Sequence, residues 1–263
     1  MQLVQQTISK LKGFKGWLDT LTLHESQLVL GLSGSVKHLA ESCAFEKLDK
    51  QLVIVTPTLL QATQTYEELS EWYDDEVVHL FPVEESLAAD FSVMSPDVVS
   101  QRIRTLDFLS REQKGIVIVP LSGIQKLLVP AEVWKKSSIE LAMGSEIESM
   151  DAFVEQLVEL GYRRENMVAT PGEFALRGSI VDIYPLDQEY PLRLDFFDTE
   201  VDSIRAFNAE TQRSMDVINE VRILPATDLP LQKEAVWKAQ AKIHALYEKD
   251  VKAAQSEERK DQI

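Results

Sequence analysis

Short runs of apolar and β-branched residues recur through the first half of the chain, and each ends at a turn residue such as Pro57. The stretches between these runs have helical spacing. Strands that are apolar on both faces and separated by helices are typical of a parallel sheet covered by helices. The sequence therefore predicts an α/β domain. The predicted strands are Gln27–Leu30, Leu52–Val55, Val77–Phe81 and Ile116–Val119.

One helix of this domain carries a start signal. Ser95 is a favourable capping residue, and Pro96 follows it at the first helical position. Val99, Ile103 and Leu106 then recur at three- and four-residue steps. This spacing predicts a helix whose apolar face packs on the sheet.

The pattern changes near residue 130, which we interpret as a domain boundary. After a predicted helix over Asp151–Leu160, apolar and polar residues alternate between short turns, as in Ile180–Tyr184. Such alternation predicts an antiparallel sheet with one solvated face, carried by a smaller α+β domain. The last stretch, Leu231–Ile263, has helical spacing but ends without a cap, so we expect a truncated helix there.

The chain is acidic, with 27 Lys and Arg against 43 Asp and Glu and a net charge of -16. A field of this sign repels phosphate backbones and argues against tight nonspecific binding of DNA or RNA. Cys43 is the single cysteine, which excludes an intrachain disulfide and a multi-cysteine zinc site and is typical of a cytoplasmic protein. No apolar run is long enough to predict a membrane span.

The segment after the first predicted strand stands where a nucleotide-binding loop would lie. Its Gly and Lys positions fit the phosphate-loop pattern in part, but Val36 and His38 replace the second glycine and the hydroxyl residue. Val36 restricts the backbone that must aim amides at phosphates, and His38 offers no hydroxyl oxygen to Mg²⁺. We therefore predict a relic loop that does not bind ATP, with a working ATPase lobe as the alternative. The relic loop comprises Gly31, Gly34, Val36, Lys37 and His38.

No catalytic or metal-ligating constellation is visible in the sequence. The acidic cluster Asp74–Glu76 precedes its apolar run instead of closing a strand, which favours a solvated turn over a Mg²⁺ carboxylate. The histidines lie scattered without ligand spacing, so we predict neither a metal site nor a catalytic residue. They are His24, His38, His79 and His244.

Arginine is concentrated in the predicted small domain, which has seven arginines and no lysine between residues 151 and 230. Because arginine forms bidentate pairs with carboxylates and is weakly hydrated, it suits protein interfaces. Pairing with local carboxylates on a solvated sheet face is the alternative. On the strand Tyr190–Asp198, alternation places Arg193, Asp195 and Phe197 on one face, a mixture typical of a binding hot spot.

Four segments of the chain resemble the transcription-repair coupling factors (the Mfd family) and, more distantly, the excision-repair protein UvrB. The resemblance covers nearly the whole chain. The segments are ALRGSIVDIYPL, YPLRLDFFDTEVDSIRAFNAETQRS, FSVMSPDVVSQRIRTLDFL and GIVIVPLSGIQKLL.

The resemblance implies the UvrB-like N-terminal region of a multidomain protein. The implied fold is a degenerate helicase-like parallel-sheet domain over residues 1–130. A small α+β domain that binds UvrA is inserted over residues 131–214, and the chain returns to the first module over residues 215–263.

The family also implies the partners. UvrA, the damage-sensing subunit of nucleotide excision repair, would bind the small domain, and C-terminal domains of the same protein would mask that surface. RNA polymerase and DNA would be contacted only through regions outside this chain, which include the ATP-driven motor. We therefore expect a noncatalytic recruitment module, with an internal autoinhibitory scaffold as a further alternative.

Two departures from UvrB concern ATP and DNA. UvrB has an intact phosphate loop, and it inserts an aromatic-rich hairpin where this chain has only FPVEESLAADFSVM. We therefore expect neither ATP hydrolysis nor clamping of damaged DNA.

The family's UvrA-contacting residues can be carried over position by position. An arginine after Tyr162 corresponds to Arg164, beside Arg163. The arginine of the RG turn corresponds to Arg177, although its partner two residues earlier is Ala175 here. The Arg-x-acid pair of the next strand corresponds to Arg193 and Asp195, and Phe197 is added on geometry alone.

Overall fold

The computed structural model describes residues 12–23, 26–83, 95–125, 127–230 and 233–260. Two sheets dominate it, a three-stranded sheet in the first half and a six-stranded sheet in the second, with a two-stranded ladder beside them. The mixed α/β fold class predicted from the sequence is confirmed.

The first unit, called here the α/β unit, is built on the three-stranded parallel sheet. The strand order is β1-β3-β2, so the last strand lies in the middle and is buried along its whole length. Its strands are β1 (Leu52–Thr56), β2 (Val78–Leu80) and β3 (Ile116–Pro120). Its helices are α1 (Lys12–Thr20), α2 (Ser35–Leu48), α3 (Leu59–Ser70), α4 (Pro96–Ser110), α5 (Leu121–Ile124) and α6 (Ala131–Lys136).

Helices cover both faces of this sheet. Ala62 and Leu69 of α3 pack with Ile118 on one face. Ile103 of α4 packs with Val119 on the other, because successive strand residues point to opposite faces. The Ser95 side chain accepts a hydrogen bond from the amide of Val98, and Pro96 begins α4, as the sequence predicts.

The predicted strand Gln27–Leu30 is wrong. Residues 26–30 pair with no strand of the described part of the chain, and Leu28 is 82% exposed. A strand needs a neighbour that completes its backbone hydrogen bonds, and an apolar run cannot show whether that neighbour is present. Among the described residues, β1 is bonded to β3 on one side only.

The second unit, called here the small unit, carries the six-stranded sheet in the order β10-β9-β8-β7-β6-β5. All pairs are antiparallel except β5 with β6. The strands are β5 (Arg163–Arg164), β6 (Glu173–Arg177), β7 (Ile180–Ile183), β8 (Leu192–Phe197), β9 (Glu200–Phe207) and β10 (Ser214–Ile218). The antiparallel sheet predicted from the alternating pattern is confirmed.

Helix α7 (Met150–Glu159) covers the inner face of this sheet. Phe153 and Leu157 of α7 pack on Leu194 and Ile204. The ladder formed by β4 (Ile139–Ala142) and β11 (Glu220–Ile223) adds Ile139 and Ile223 to the same core.

Buried polar contacts join the two units. Arg102 of α4 is 1% exposed and donates through Nε to Asp228 Oδ2 at 2.7 Å and through Nη1 to the Pro82 carbonyl at 2.9 Å. Ser100 Oγ donates to the Leu186 carbonyl. The domain boundaries at residues 130 and 214 stay a prediction.

Helix α8 (Lys233–Lys260) ends the described chain. Its apolar side chains include exposed ones, among them Trp237 and Tyr247. In the ranges that the structure describes, no helix has the length and apolar character needed to cross a bilayer.

Candidate functional site

The candidate site is the outer face of the six-stranded sheet. The predicted alternation on β8 is confirmed, because Leu192, Leu194 and Phe196 are buried while the Phe197 side chain is 79% exposed. The register between β8 and β9 shifts after Asp195, where β9 carries one extra residue, Asp202.

The sequence predicts that the outer face is solvated, but part of this face is buried in the structure. Asp182 of β7 is completely buried, and Phe207 and Ala175 pack with Val168 in a small cluster on this side of the sheet. The chain that follows β5 supplies Val168, so the cover comes from a loop. The strand pattern alone could not reveal it.

Asp182 accepts hydrogen bonds from two arginines. Arg193 lies opposite it on β8 and donates through Nε to Oδ1 at 2.7 Å and through Nη2 to Oδ2 at 2.9 Å. Arg177 of β6 donates through Nη2 to Oδ2. One buried carboxylate therefore holds two arginines from two different strands.

Arg193 is anchored inside the small unit. Its guanidinium lies 4.5 Å from the centre of the Phe207 ring, and its Nη1 donates to the Gln212 carbonyl at 3.3 Å. The hydrogen bonds with Asp182 favour the charged form and raise the pKa of Arg193. Only 19% of its side chain is exposed.

Arg177 is held differently. Its side chain is 47% exposed, and a single nitrogen, Nη2, contacts Asp182. Arg177 ends β6 at a two-residue turn whose first residue, Gly178, has φ 63°. Glycine suits this left-handed position, which a side chain would strain. Ser179, the second residue of this turn, donates a hydrogen bond to Asp195 of β8 at 3.4 Å.

Arg163 and Arg164 form β5 at the edge of the sheet, and both are exposed. Arg163 Nη2 lies 3.7 Å from Glu173 Oε1. Partial burial tends to raise the pKa of Glu173, but hydrogen bonds from the amides of Ala169 and Thr170 and the nearby Arg163 together lower it. Within the described ranges, Arg164 forms no ion pair.

The strand register places Arg163, Arg177, Arg193 and Asp195 on the outer face. Arg164 pairs with the buried Phe174, so it lies on the other side of β5 at the edge of the sheet. Burial further separates the roles of these residues. Arg164, Arg177 and Phe197 are exposed, whereas the Arg193 side chain is mostly covered and makes its contacts within the small unit. Sequence reasoning missed Asp182 because nothing in the pattern indicated that a residue of the outer face would be buried.

The relic loop has no strand before it in the structure. Gly31 and Gly34 have positive φ values of 85° and 56°, and α2 begins at Ser35. Lys37 Nζ lies 3.6 Å from Glu41, to which the buried His38 ring is bonded at 2.9 Å. The lysine that would reach a phosphate therefore already has a carboxylate partner.

Two further sequence interpretations concern this unit. Asp74–Glu76 form an exposed turn before β2, which confirms the solvated turn predicted for them. Residues 84–94, within the segment compared with the UvrB hairpin, lie outside the described residues. No group of His, Cys, Asp and Glu that could hold a metal ion occurs in the part of the chain that the structure describes.

Comparisons with known proteins agree with this architecture. Residues 139–229 match the family model described as the UvrB interaction domain. The chain is 42% identical over 231 residues to the transcription-repair-coupling factor of Staphylococcus haemolyticus, which covers 88% of this chain and 20% of that protein. It is 36% identical over 264 residues to the corresponding factor of Bacillus subtilis, covering 99% of this chain and 22% of that protein.

The small unit is therefore a UvrB interaction domain carried beside a parallel α/β unit. The chain as a whole is similar to transcription-repair coupling factors over most of its length, in agreement with the resemblance noted in its sequence. It spans about a fifth of the length of the relatives it matches.

Proposed function

We propose that this chain is the noncatalytic N-terminal module of a transcription-repair coupling factor and that it recruits UvrA by imitating UvrB. The family model matched by the small unit is named for the UvrB interaction, which supports this assignment. The single observation that carries the proposal is Arg177, half exposed and held by a buried carboxylate on the outer sheet face.

The proposed UvrA-binding face is built from Arg163, Arg164, Arg177, Arg193, Asp195 and Phe197. Exposed guanidinium groups beside an exposed aromatic ring form the mixture that dominates protein interfaces. Because arginine pairs with carboxylates through two parallel hydrogen bonds, the matching surface of UvrA should carry Asp or Glu.

Titration calorimetry of the purified chain with UvrA tests the proposal. Arg177→Glu and Arg164→Glu should each weaken binding more than tenfold, because each places a carboxylate where a cation meets acidic groups. Lys50→Glu is the matched control, since it makes the same charge change at an exposed site of the α/β unit and should bind normally. Equal binding by all four proteins would refute the proposed surface.

We also infer that the α/β unit does not hydrolyse ATP. The pairing of Lys37 with Glu41 and the side chain of Val36 at the phosphate position support this inference. Micromolar affinity for Mg-ATP that Lys37→Ala abolishes would instead favour the alternative of a nucleotide-binding lobe.

The remaining partners belong to the whole protein. We propose that RNA polymerase and DNA are bound through regions outside this chain and that C-terminal domains mask the UvrA-binding face. A full-length protein that binds UvrA as tightly as this chain does would contradict the masking.

A further inference from the structure

We propose that Asp182 is the positioning residue of the UvrA-binding face, and that Arg193 acts through it without contacting UvrA. This inference rests on the proposed function, and it gives Arg193 a role in holding Asp182 and Arg177 a role in binding UvrA. Its basis is the geometry of three side chains on β6, β7 and β8.

The buried carboxylate of Asp182 has lost its hydration. A buried carboxylate is tolerated when charged partners and hydrogen bonds compensate its lost hydration. Arg193 supplies that compensation with a two-point contact, at 2.7 Å and 2.9 Å. Since Arg193 also lies over Phe207 and donates to Gln212, reaching a partner would require it to break several internal contacts.

Arg177 is the more exposed of the two arginines that bind Asp182. Among the described residues its one hydrogen bond is from Nη2 to Asp182, and its side chain is 47% exposed, so the remaining donors of the guanidinium are available to a partner. A long side chain loses conformational freedom when a partner binds it. Because Asp182 already restricts Arg177 in the free protein, less of that freedom is lost on binding.

Asp182 also determines the net charge of the three side chains. Two arginines share one carboxylate, so the trio keeps one net positive charge, and Arg177 is its exposed end. Without the carboxylate, two cations would face each other across the strands, and Arg177 would be driven from its place by repulsion. Asp182 therefore sets both the direction and the charge of the group that UvrA meets.

A double-mutant cycle tests this arrangement. Asp182→Asn, Arg177→Ala and the double variant are titrated into UvrA by calorimetry, well below the unfolding midpoint of each protein. Each single variant should lose about tenfold in affinity, and the double variant should lose no more than Arg177→Ala alone, because both changes remove one interaction. Unchanged affinity of Asp182→Asn, or losses that multiply in the double variant, would overturn the proposal.

Chemical footprinting of the wild-type chain tests the same proposal, and its outcome does not depend on whether a variant folds. Phenylglyoxal modification of each arginine is measured by mass spectrometry with and without UvrA. Arg177 should react in the free chain and be protected by UvrA, whereas Arg193 should react slowly in both states. Rapid modification of Arg193 that UvrA suppresses as strongly as it does at Arg177 would overturn the positioning role.

The two proposals fail in different ways. If the wild-type chain shows no binding to UvrA, the proposed function is wrong and this inference falls with it. If the wild type binds, and Arg177→Glu abolishes binding while Asp182→Asn and the footprint of Arg193 contradict expectation, only the positioning role is wrong.

Discussion

At the scale of single residues, the degree of burial determines which charged side chains are accessible to a partner protein and which stabilise the fold through internal contacts. Arg193 and Arg177 are both arginines of one sheet face, yet one is mostly covered and the other half exposed. The same distinction applies to carboxylates, since the buried Asp182 has two arginine partners, whereas Asp187 has no ion pair among the described residues and its buried Oδ1 has no side-chain partner there.

Asp187 leads to a pH prediction. Burial raises the pKa of its side chain above the ordinary value of 3.8, and Asp107 adds to the rise, against hydrogen bonds from its own amide and Gln188 and the charge of Arg104. The folded chain therefore binds this proton more tightly than the unfolded chain does. The stability gained is complete below pH 3.8 and is lost as the pH rises through the raised pKa.

We therefore expect Asp187→Asn to increase the free energy of unfolding at pH 7, with a gain that shrinks as the pH is lowered to about 4. Urea denaturation of both proteins at the two pH values measures this difference. Asp74→Asn, which removes the same charge from an exposed turn, is the control. A gain that is independent of pH would contradict the explanation.

At the scale of elements, the β6–β7 hairpin carries Arg177 to the surface and depends on Gly178. The turn requires φ 63° at this position, and a Cβ there would meet no atom within 4 Å. The penalty for alanine is therefore confined to the backbone, at about 1 to 2 kcal/mol.

Gly178→Ala should accordingly destabilise the chain, whereas Gly16→Ala should have the opposite effect. Gly16 lies within α1, where an added Cβ also meets nothing within 4 Å, and alanine is favoured over glycine in helices by up to about 1 kcal/mol. Thermal unfolding of the two variants compares the signs directly. Equal effects from both substitutions would show that backbone conformation is not the cause.

The elements also show what the sequence can predict. Local signals sufficed for β2 and β3, for the start of α4 and for the alternation along β8, because periodicity and turn residues lie within each segment. The strand expected at Gln27–Leu30 was wrong because a strand depends on a neighbour distant in sequence. The burial of Asp182 escaped prediction for the same reason, since the arginines that bind it come from other strands and Val168, which packs on the same face, comes from a loop.

At the scale of the whole molecule, a buried charge pair ties the small unit to the α/β unit. Arg102 of α4 meets Asp228, which follows β11, and its guanidinium lies 4.2 Å from the centre of the Phe81 ring. Around this pair, Trp134 packs with Leu186 and Leu224 from the second half of the chain. The two units should therefore unfold together.

Tryptophan fluorescence and far-UV circular dichroism separate the units experimentally. Trp17, Trp72 and Trp134 precede residue 139, and Trp237 lies in α8. Since the range 139–229 contains no tryptophan, fluorescence reports on the α/β unit, its border and α8, but not on the six-stranded sheet. Circular dichroism reports on both units, because it includes the six-stranded sheet. In the wild-type chain we expect the two urea transitions to coincide, the behaviour of a single cooperative unit.

Arg102→Ala should lower the free energy of unfolding by about 3 to 5 kcal/mol and separate the two transitions, because it leaves Asp228 and the Pro82 carbonyl without their buried partner. Arg104→Ala is the matched control on the same helix. Arg104 is exposed and donates only to the Asp187 carbonyl at 3.1 Å, so its loss should cost about 1 kcal/mol or less and keep the transitions together. If Arg102→Ala behaves like Arg104→Ala, the buried pair does not couple the units, and the packing around Trp134 must carry the cooperativity by itself.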